Sequence, residues 1–407
     1  MSTLQLQPVL AALRKHRIAT VVIALEIALA CAVLCNACFL IAGRVQAMHV
    51  QSGVDEHVLG TIKVEGFELQ QANDVSARVM AGLRAVPGVQ SVSTISAIPF
   101  GESGIKAGVH LDAAGRQFGG VVDFYLAGPD AAKAMGIRLL SGRMPAPDEY
   151  MPIAQLVPKE APVLITRVLA EHFWPGQDPL GKMIWSIDTH FRVIGVVEHL
   201  TVPQPGEGEE KDADWSLLVP AMPGPQFAGK YLLRANPGDL PRVMRDARTA
   251  VLKIAPDTVL DLEQSRTVDE LREKFFLNDR VMTGLLIAVI VALLGTTALG
   301  IVGLASFWVA QRRRQIGVRR ALGATRKDIL RYFQVENFLI VTIGIVLGMM
   351  LAYAINMTLM SIYELPRLPV LYLPIGAVAL WVLGQLAVLA PALRAAAVPP
   401  VAAMRSA

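Results

Sequence analysis

The chain has 407 residues, 53% of them hydrophobic, and a mean hydropathy of +0.46, a balance that excludes an ordinary soluble protein. A formal net charge of +4 is small for this length and gives no nucleic-acid footprint. The three cysteines, Cys31, Cys35 and Cys38, fall in one apolar run, which excludes a disulfide framework. At helical spacing they share one face and read as small apolar packing residues.

The first predicted element is the apolar run Ile18–Ala42, interrupted only by Glu26 and Asn36. A helix needs about 20 such residues to cross a bilayer. The run is long for a cleaved signal peptide and no small-x-small site ends it, so it reads as a retained anchor. Glu26 is either a group facing a cavity or a hydrogen-bonding partner for a neighbouring helix.

Residues 43–280 form a large polar domain with an internal echo. Near its start, HVLGTIKVEG reads as a strand, DVSARVMAGLRAVPG as an amphipathic helix closed by Pro-Gly, and VQSVSTISAIPF as a second strand. Near its end, KYLLRA, DLPRVMRDARTAVLKIAP and TVLDLEQSRTV repeat strand, helix, strand. Two βαβ units predict a four-stranded sheet with two helices on one face. Between them, about 101–223, runs such as VVDFYLAG, APVLIT, FRVIGVV and WSLLVPA alternate with Gly/Pro turns. They predict a β-rich insertion with a short helix at Arg167–Phe173. The acidic stretch Pro203–Asp214 reads as a solvated loop.

Two stretches of this domain imitate a phosphate-binding loop: Gly176-x-x-x-x-Gly181-Lys182 and Gly224-x-x-x-x-Gly229-Lys230. Met183 and Tyr231 stand where the magnesium-binding hydroxyl belongs. Pro179 and Pro225 remove backbone N–H groups that such a loop offers to phosphate. The chain is expected to have no nucleotide-binding domain of its own. The histidines are scattered, and no catalytic residue, cofactor or metal site is predicted.

Asp269–Asp279 is a charged helical segment predicted to continue into the second span, Val281–Ala310. Asn337–Tyr363 and Val370–Leu393 are the third and fourth spans. Arg14, Lys15 and Arg17 precede the first span. Arg312, Arg313, Arg314, Arg319, Arg320, Arg326, Lys327 and Arg331 lie between the second and third, set against Asp328. Arg394 and Arg405 follow the fourth. The positive-inside rule puts 1–17, 311–336 and 394–407 in the cytoplasm, and 43–280 with the turn Glu364–Pro369 outside. The expected fold is an α-helical membrane protein with four transmembrane helices and a large extracytoplasmic α+β domain.

Small residues recur every fourth position in two spans: Gly284, Ala288, Ala292, Thr296 and Gly300 in the second, Gly344, Gly348 and Ala352 in the third. Such ribbons let helix backbones approach closely in lipid. The segment QRRRQIGVRRALGATRKDILR, 311–331, reads as a short basic helix with apolar Ile316, Leu322, Ile329 and Leu330, broken near Gly323. Its physics allows an anchor on anionic lipid.

RRRQIGVRRALGATRKDIL resembles the signature of MacB/FtsX-type ABC transporter permeases. VDFYLAGPDAAKAMGIRLLSGRMP, VLITRVLAEHFWPGQDPLGKMI with FRVIGVVEHL, and the terminal VPPVAAMR resemble the same family. The resemblance implies that Arg314, Ile316, Gly317, Arg319, Arg320, Ala321, Leu322, Gly323, Ala324 and Ile329 form a coupling segment resting on a separate ABC ATPase subunit. It further implies a second permease copy, as homo- or heterodimer, in a bacterial inner membrane. It points to efflux of a peptide, antibiotic or similar compound with a periplasmic adaptor and outer-membrane channel. The same machine could instead release lipoproteins or control a cell-wall hydrolase. A reading of another class is a membrane-anchored binding or sensor protein.

Overall fold

The computed structural model describes residues 17–153, 157–186, 189–206, 213–224, 227–363 and 367–397. The readings placed on Arg14 and Lys15, the middle of the 203–214 loop, Pro225, the Glu364 end of the last turn and the tail VPPVAAMR lie outside them. The chain divides into two units, Ala47–Asn278 and the flanking Met1–Gln46 with Asp279–Ala407.

In chain order the elements are α1 (Arg17–Met48), β1 (Leu59–Glu65), α2 (Ala72–Arg84), β2 (Val89–Thr94), β3 (Ile105–His110), β4 (Phe118–Ala127), α3 (Ala131–Met135) and β5 (Leu139–Gly142). There follow β6 (Met151–Pro152), β7 (Glu160–Thr166), α4 (Arg167–Phe173), β8 (Met183–Ser186), β9 (Thr189–Val197), β10 (Ser216–Met222), β11 (Lys230–Ala235), α5 (Leu240–Ile254) and β12 (Val259–Asp261). The chain ends with α6 (Val268–Phe275), α7 (Leu277–Gln311), α8 (Arg313–Ala321), α9 (Arg326–Tyr363) and α10 (Tyr372–Ala396).

The two βαβ units share one antiparallel-paired sheet in the order β12-β1-β11-β2, so each unit is split by a strand of the other. The echo is carried into packing. Helix α2 buries Ala72, Val75, Ser76, Val79 and Leu83; α5 buries Leu240, Val243, Met244, Ala247 and Val251 at the same spacing. These stripes cover Ile62, Val64, Val92, Tyr231 and Leu233 on one sheet face. Helices α2 and α5 touch where Gly82 leaves room: a Cβ there would lie 2.0 Å from Ile254 Cδ1.

The insertion closes on itself. Pairing runs β4-β3-β8-β9-β7-β10 and returns from β10 to β4, making a six-stranded ring that mixes parallel and antiparallel ladders. Closure removes exposed sheet edges. Val109, Val122, Phe124, Val163, Ile184, Phe191 and Leu217 fill its interior. The short helix α4 occupies the expected residues, started by Thr166, whose hydroxyl accepts the Leu169 N–H. Helix α3 was not anticipated from the sequence.

Two expectations are corrected here. The last strand covers only Val259–Asp261, because the Asp261 carboxylate accepts the N–H groups of Glu263 and Gln264 at 2.9 and 3.1 Å and turns the chain. The charged helix does not run on into the second span. It ends at Phe275, and Phe276 takes a non-helical backbone while its ring is buried beside Phe100.

The other unit holds four helices long and apolar enough to cross a membrane: Ile18–Met48, Leu277–Gln311, Arg326–Ile362 and Tyr372–Ala396. Helix α9 begins eleven residues before the apolar run that marks it. Hydropathy reports what lipid can cover, whereas Thr325 and Asp328 start the helix with a reciprocal cap. Half of the apolar window of α1 is buried against its neighbours, but only 11% of that of α7. Helix α1 packs on α9 and α10 through glycine. A Cβ at Gly344 would lie 2.7 Å from Ile27 Cβ, one at Gly348 2.5 Å from Cys31 Cβ, and one at Gly376 2.6 Å from Cys35 Sγ. Asn36 Nδ2 donates across this interface to Ala352 O at 3.2 Å.

Gly348→Leu is expected to destabilise this unit by about 1–3 kcal/mol, because α1 backbone must move to admit it. Gly284→Leu is expected to change nothing in the isolated chain, since no atom lies within 4 Å of a Cβ there. Unfolding midpoints of the two variants in mild detergent check the contrast.

Candidate functional site

The basic segment folds as a helix, a turn and the start of a second helix. Gln311 ends α7, Arg312 leaves the helical backbone (φ −100°, ψ 10°), and α8 follows. The turn after α8 is fixed by glycine. Gly323 has φ +99°, its N–H donates to Arg320 O at 3.2 Å, and the Ala324 N–H donates to Arg319 O at 3.0 Å. That pair of bonds satisfies the last carbonyls of α8 and requires the left-handed conformation that glycine adopts without strain.

Helix α8 has two faces. Inward, Ile316 is buried with Ile329 and Phe333 of α9 and Ala392, Ala395 and Ala396 of α10, and Gly317 is buried beside it. Arg320 Nη1 donates to Ala396 O at 2.9 Å. Outward, Arg314, Val318, Arg319 and Ala321 are exposed, and Leu322 is 82% exposed. Arg319 lies 4.9 Å over the Tyr332 ring. Ala324 is half-buried and Gly323 exposed. The sequence-predicted residues thus separate into an inner set that anchors the segment and an exposed outer set, basic with an apolar tip.

The small-residue ribbons also separate. Gly344, Gly348 and Ala352 face α1. Gly300 faces it too: a Cβ there would lie 2.8 Å from Glu26 Oε2. Gly284, Ala288, Ala292 and Thr296 are exposed on α7. The two ribbons therefore do not pack on each other; α1 takes the one on α9.

Sequence reasoning missed two arginine sites. The first is Arg312, counted only as a positive-inside residue. Its Nη1 is 2.9 Å from both carboxylate oxygens of Glu336, an acid the charge count left out, and both residues are buried. The second is Arg272. It donates to Met48 O and Val50 O at 2.8 Å and to Glu56 Oε1 at 2.6 Å, with Phe100 under its guanidinium at 4.8 Å. In the other unit, Arg44 pairs with Asp279. Neither is legible locally, since the partners are 24 to 235 residues away.

The loop Gly176–Lys182 is a turn into β8. The Gly181 N–H is already given to Val193 O at 2.8 Å, and Lys182 folds back to Gln177 Oε1 at 2.5 Å and over the Trp174 ring. Those donors are already used within the protein. Glu65, Glu102 and Asp261 converge closely enough to hold a metal ion, but Lys63 Nζ lies 2.5, 2.5 and 3.3 Å from them, and Lys230 is 3.2 Å from Glu102. Burial opposes the Lys63 charge, yet the bonds from Glu102, Glu65 and Asp261 raise its pKa above the ordinary value. The ammonium stands where a cation would.

Residues 286–400 match the FtsX-like permease C-terminal family. The chain is 23% identical over 327 residues to the uncharacterized ABC transporter permease YknZ of Bacillus subtilis (strain 168), covering 80% of this chain and 77% of that protein. It is 26% identical over 236 residues to the macrolide export ATP-binding/permease protein MacB of Shewanella sp. (strain W3-18-1). That alignment covers 56% of this chain and 34% of MacB, so the chain spans about a third of that relative's length. The crystal structure of the periplasmic region of MacB from Actinobacillus actinomycetemcomitans aligns with a TM-score of 0.33 at 14% identity, over 56% of this chain and 97% of that one.

Leu322→Glu is expected to leave the unfolding free energy within about 0.5 kcal/mol of the parent, because the side chain is exposed. Ile329→Ala is expected to cost about 2–5 kcal/mol by emptying the contact beneath α8. Thermal unfolding followed by circular dichroism distinguishes the two faces.

Proposed function

We propose that this chain, which belongs to the MacB/FtsX-type ABC transporter permeases, is a non-catalytic membrane subunit driven by a separate ABC ATPase subunit through residues 314–329. The observation that carries the reading is Leu322, 82% exposed at the end of α8 on the side where Val318, Arg314 and Arg319 are also exposed, while the helix's own apolar face is already buried. An anchor lying on lipid would turn the Ile316–Ile329 face outward to the acyl chains. Here that face holds the segment to α9 and α10, and what remains outside suits an apolar socket with an acidic rim.

The chain sits in the bacterial inner membrane with both termini and residues 311–336 in the cytoplasm, and 43–280 outside, a reading that the distribution of basic residues supports. A second permease copy, identical or not, packs on the exposed ribbon of α7, where close helix approach meets no obstacle. The core of the helical unit is filled by apolar side chains, among them Ile27, Cys31, Cys35, Ile345 and Leu380. That favours transmission of motion to the α+β unit over passage of a solute between the helices. The cargo class is a peptide, antibiotic or similar compound exported with an adaptor and outer-membrane channel. Lipoprotein release or control of a cell-wall hydrolase uses the same motion.

A mild-detergent pull-down of the tagged protein, read by mass spectrometry, tests this. An ABC ATPase subunit at near-equal amount, lost in Leu322→Glu at unchanged abundance, is expected. An adaptor in the same sample supports efflux, and a hydrolase or lipoprotein the other use. No ATPase in any detergent overturns the reading in favour of an anchored binding protein.

A further inference from the structure

Arg312 and Glu336 form the most buried ion pair among the described residues, with side chains 11% and 1% exposed. Two charges so placed lose hydration that their attraction barely repays, so the pair is poor evidence of a stability device. What such a pair does well is to hold one arrangement against alternatives. Its place in the chain says which. Arg312 is the single non-helical residue between α7 and α8, and Glu336 lies on α9 one turn after Tyr332. Glu336 and Tyr332 hold Arg312 and Arg319, at the two ends of an eight-residue stretch of the segment. The Arg312 guanidinium also lies 5.5 Å over the Trp308 ring, at the end of α7.

We infer that the Arg312–Glu336 pair is the pivot that converts displacement of α8 into a swing of α7, an inference that rests on the function proposed above. A chain break at Arg312 would otherwise absorb the displacement by rotating its own φ and ψ. Pinned to Glu336, the break cannot yield, and the motion passes into α7. Within the chain α7 is the least packed of the four spans, its buried residues Thr297, Ile301, Ala305 and Trp308 lie toward the pivot, and its first residues, 277–278, belong to the α+β unit. A small cavity lined by Ile23, Ile301, Trp308, Glu336, Asn337 and Ile340 lies beside the pair. Arg312 and Glu336 are positioning residues and touch no cargo.

The test uses the full chain with its co-purifying ATPase in nanodiscs, and spin labels at Leu285 and Ile375, both exposed and both remote from the pivot. The ATP-induced change in the inter-label distance is compared in the parent, Glu336→Gln, Arg312→Lys, and the exchanged pair Arg312→Glu with Glu336→Arg. Expected are unchanged ATPase binding in Glu336→Gln, a distance change reduced at least twofold while ATP is still hydrolysed, and recovery in the exchanged pair. If Glu336→Gln does not fold, Arg312→Lys supplies the reading. A parental response in either folded single variant overturns the pivot and leaves the coupling segment standing. Absence of any co-purifying ATPase with the parent chain overturns the function proposed above, and the pivot with it.

Discussion

The helical unit depends on how closely α1 can approach α9 and α10. In lipid no hydrophobic effect drives helices together, so dispersion contacts and a few hydrogen bonds must do it. Gly344, Gly348 and Gly376 let Ile27, Cys31 and Cys35 reach the backbone of their neighbours, and Asn36 adds a bond to Ala352 O. Because α1 fills that place, α7 is left at the margin with its small residues outward. The peripheral position of α7 is thus a consequence of packing elsewhere.

The α+β unit is entered and left by adjoining stretches of chain. Residues 47 and 278 bound it, and just inside the boundary Arg272 ties Met48 and Val50 to the end of α6. Within the helical unit, Arg44 and Asp279 tie α1 to the start of α7. Each crossing is thereby fixed to the other within its own unit. The remainder of the domain, a split pair of βαβ motifs carrying a closed β insertion, has buried cores on both sides of its four-stranded sheet.

The basic segment contains one short helix with two distinct faces. Its inner face is consumed by Ile329, Phe333 and the end of α10, so its position is set by the membrane helices. Its outer face then has a fixed orientation, and Leu322 stays exposed without the helix collapsing onto it. Gly323 is needed for this geometry, since the carbonyls of Arg319 and Arg320 are satisfied only when the next turn is left-handed.

Much of this was legible in the residues alone. Apolar runs the length of a bilayer fixed the four spans, and the periodicity of 72–84 and 240–254 fixed the echo, because burial on one face imposes a local repeat. The glycine break at 323 was legible for the same reason: its constraint lies within five residues. Contacts distant in sequence were not. That the insertion closes into a ring, that α1 and not α7 receives the ribbon of α9, and that Arg312 finds Glu336 were decided only by the tertiary structure. An arginine in a basic run gives no local sign of whether it faces water or a buried carboxylate, and a ribbon of small residues specifies close approach without specifying the partner. Periodicity is written along the chain, whereas the choice among equally apolar neighbours is made by shape once the helices meet.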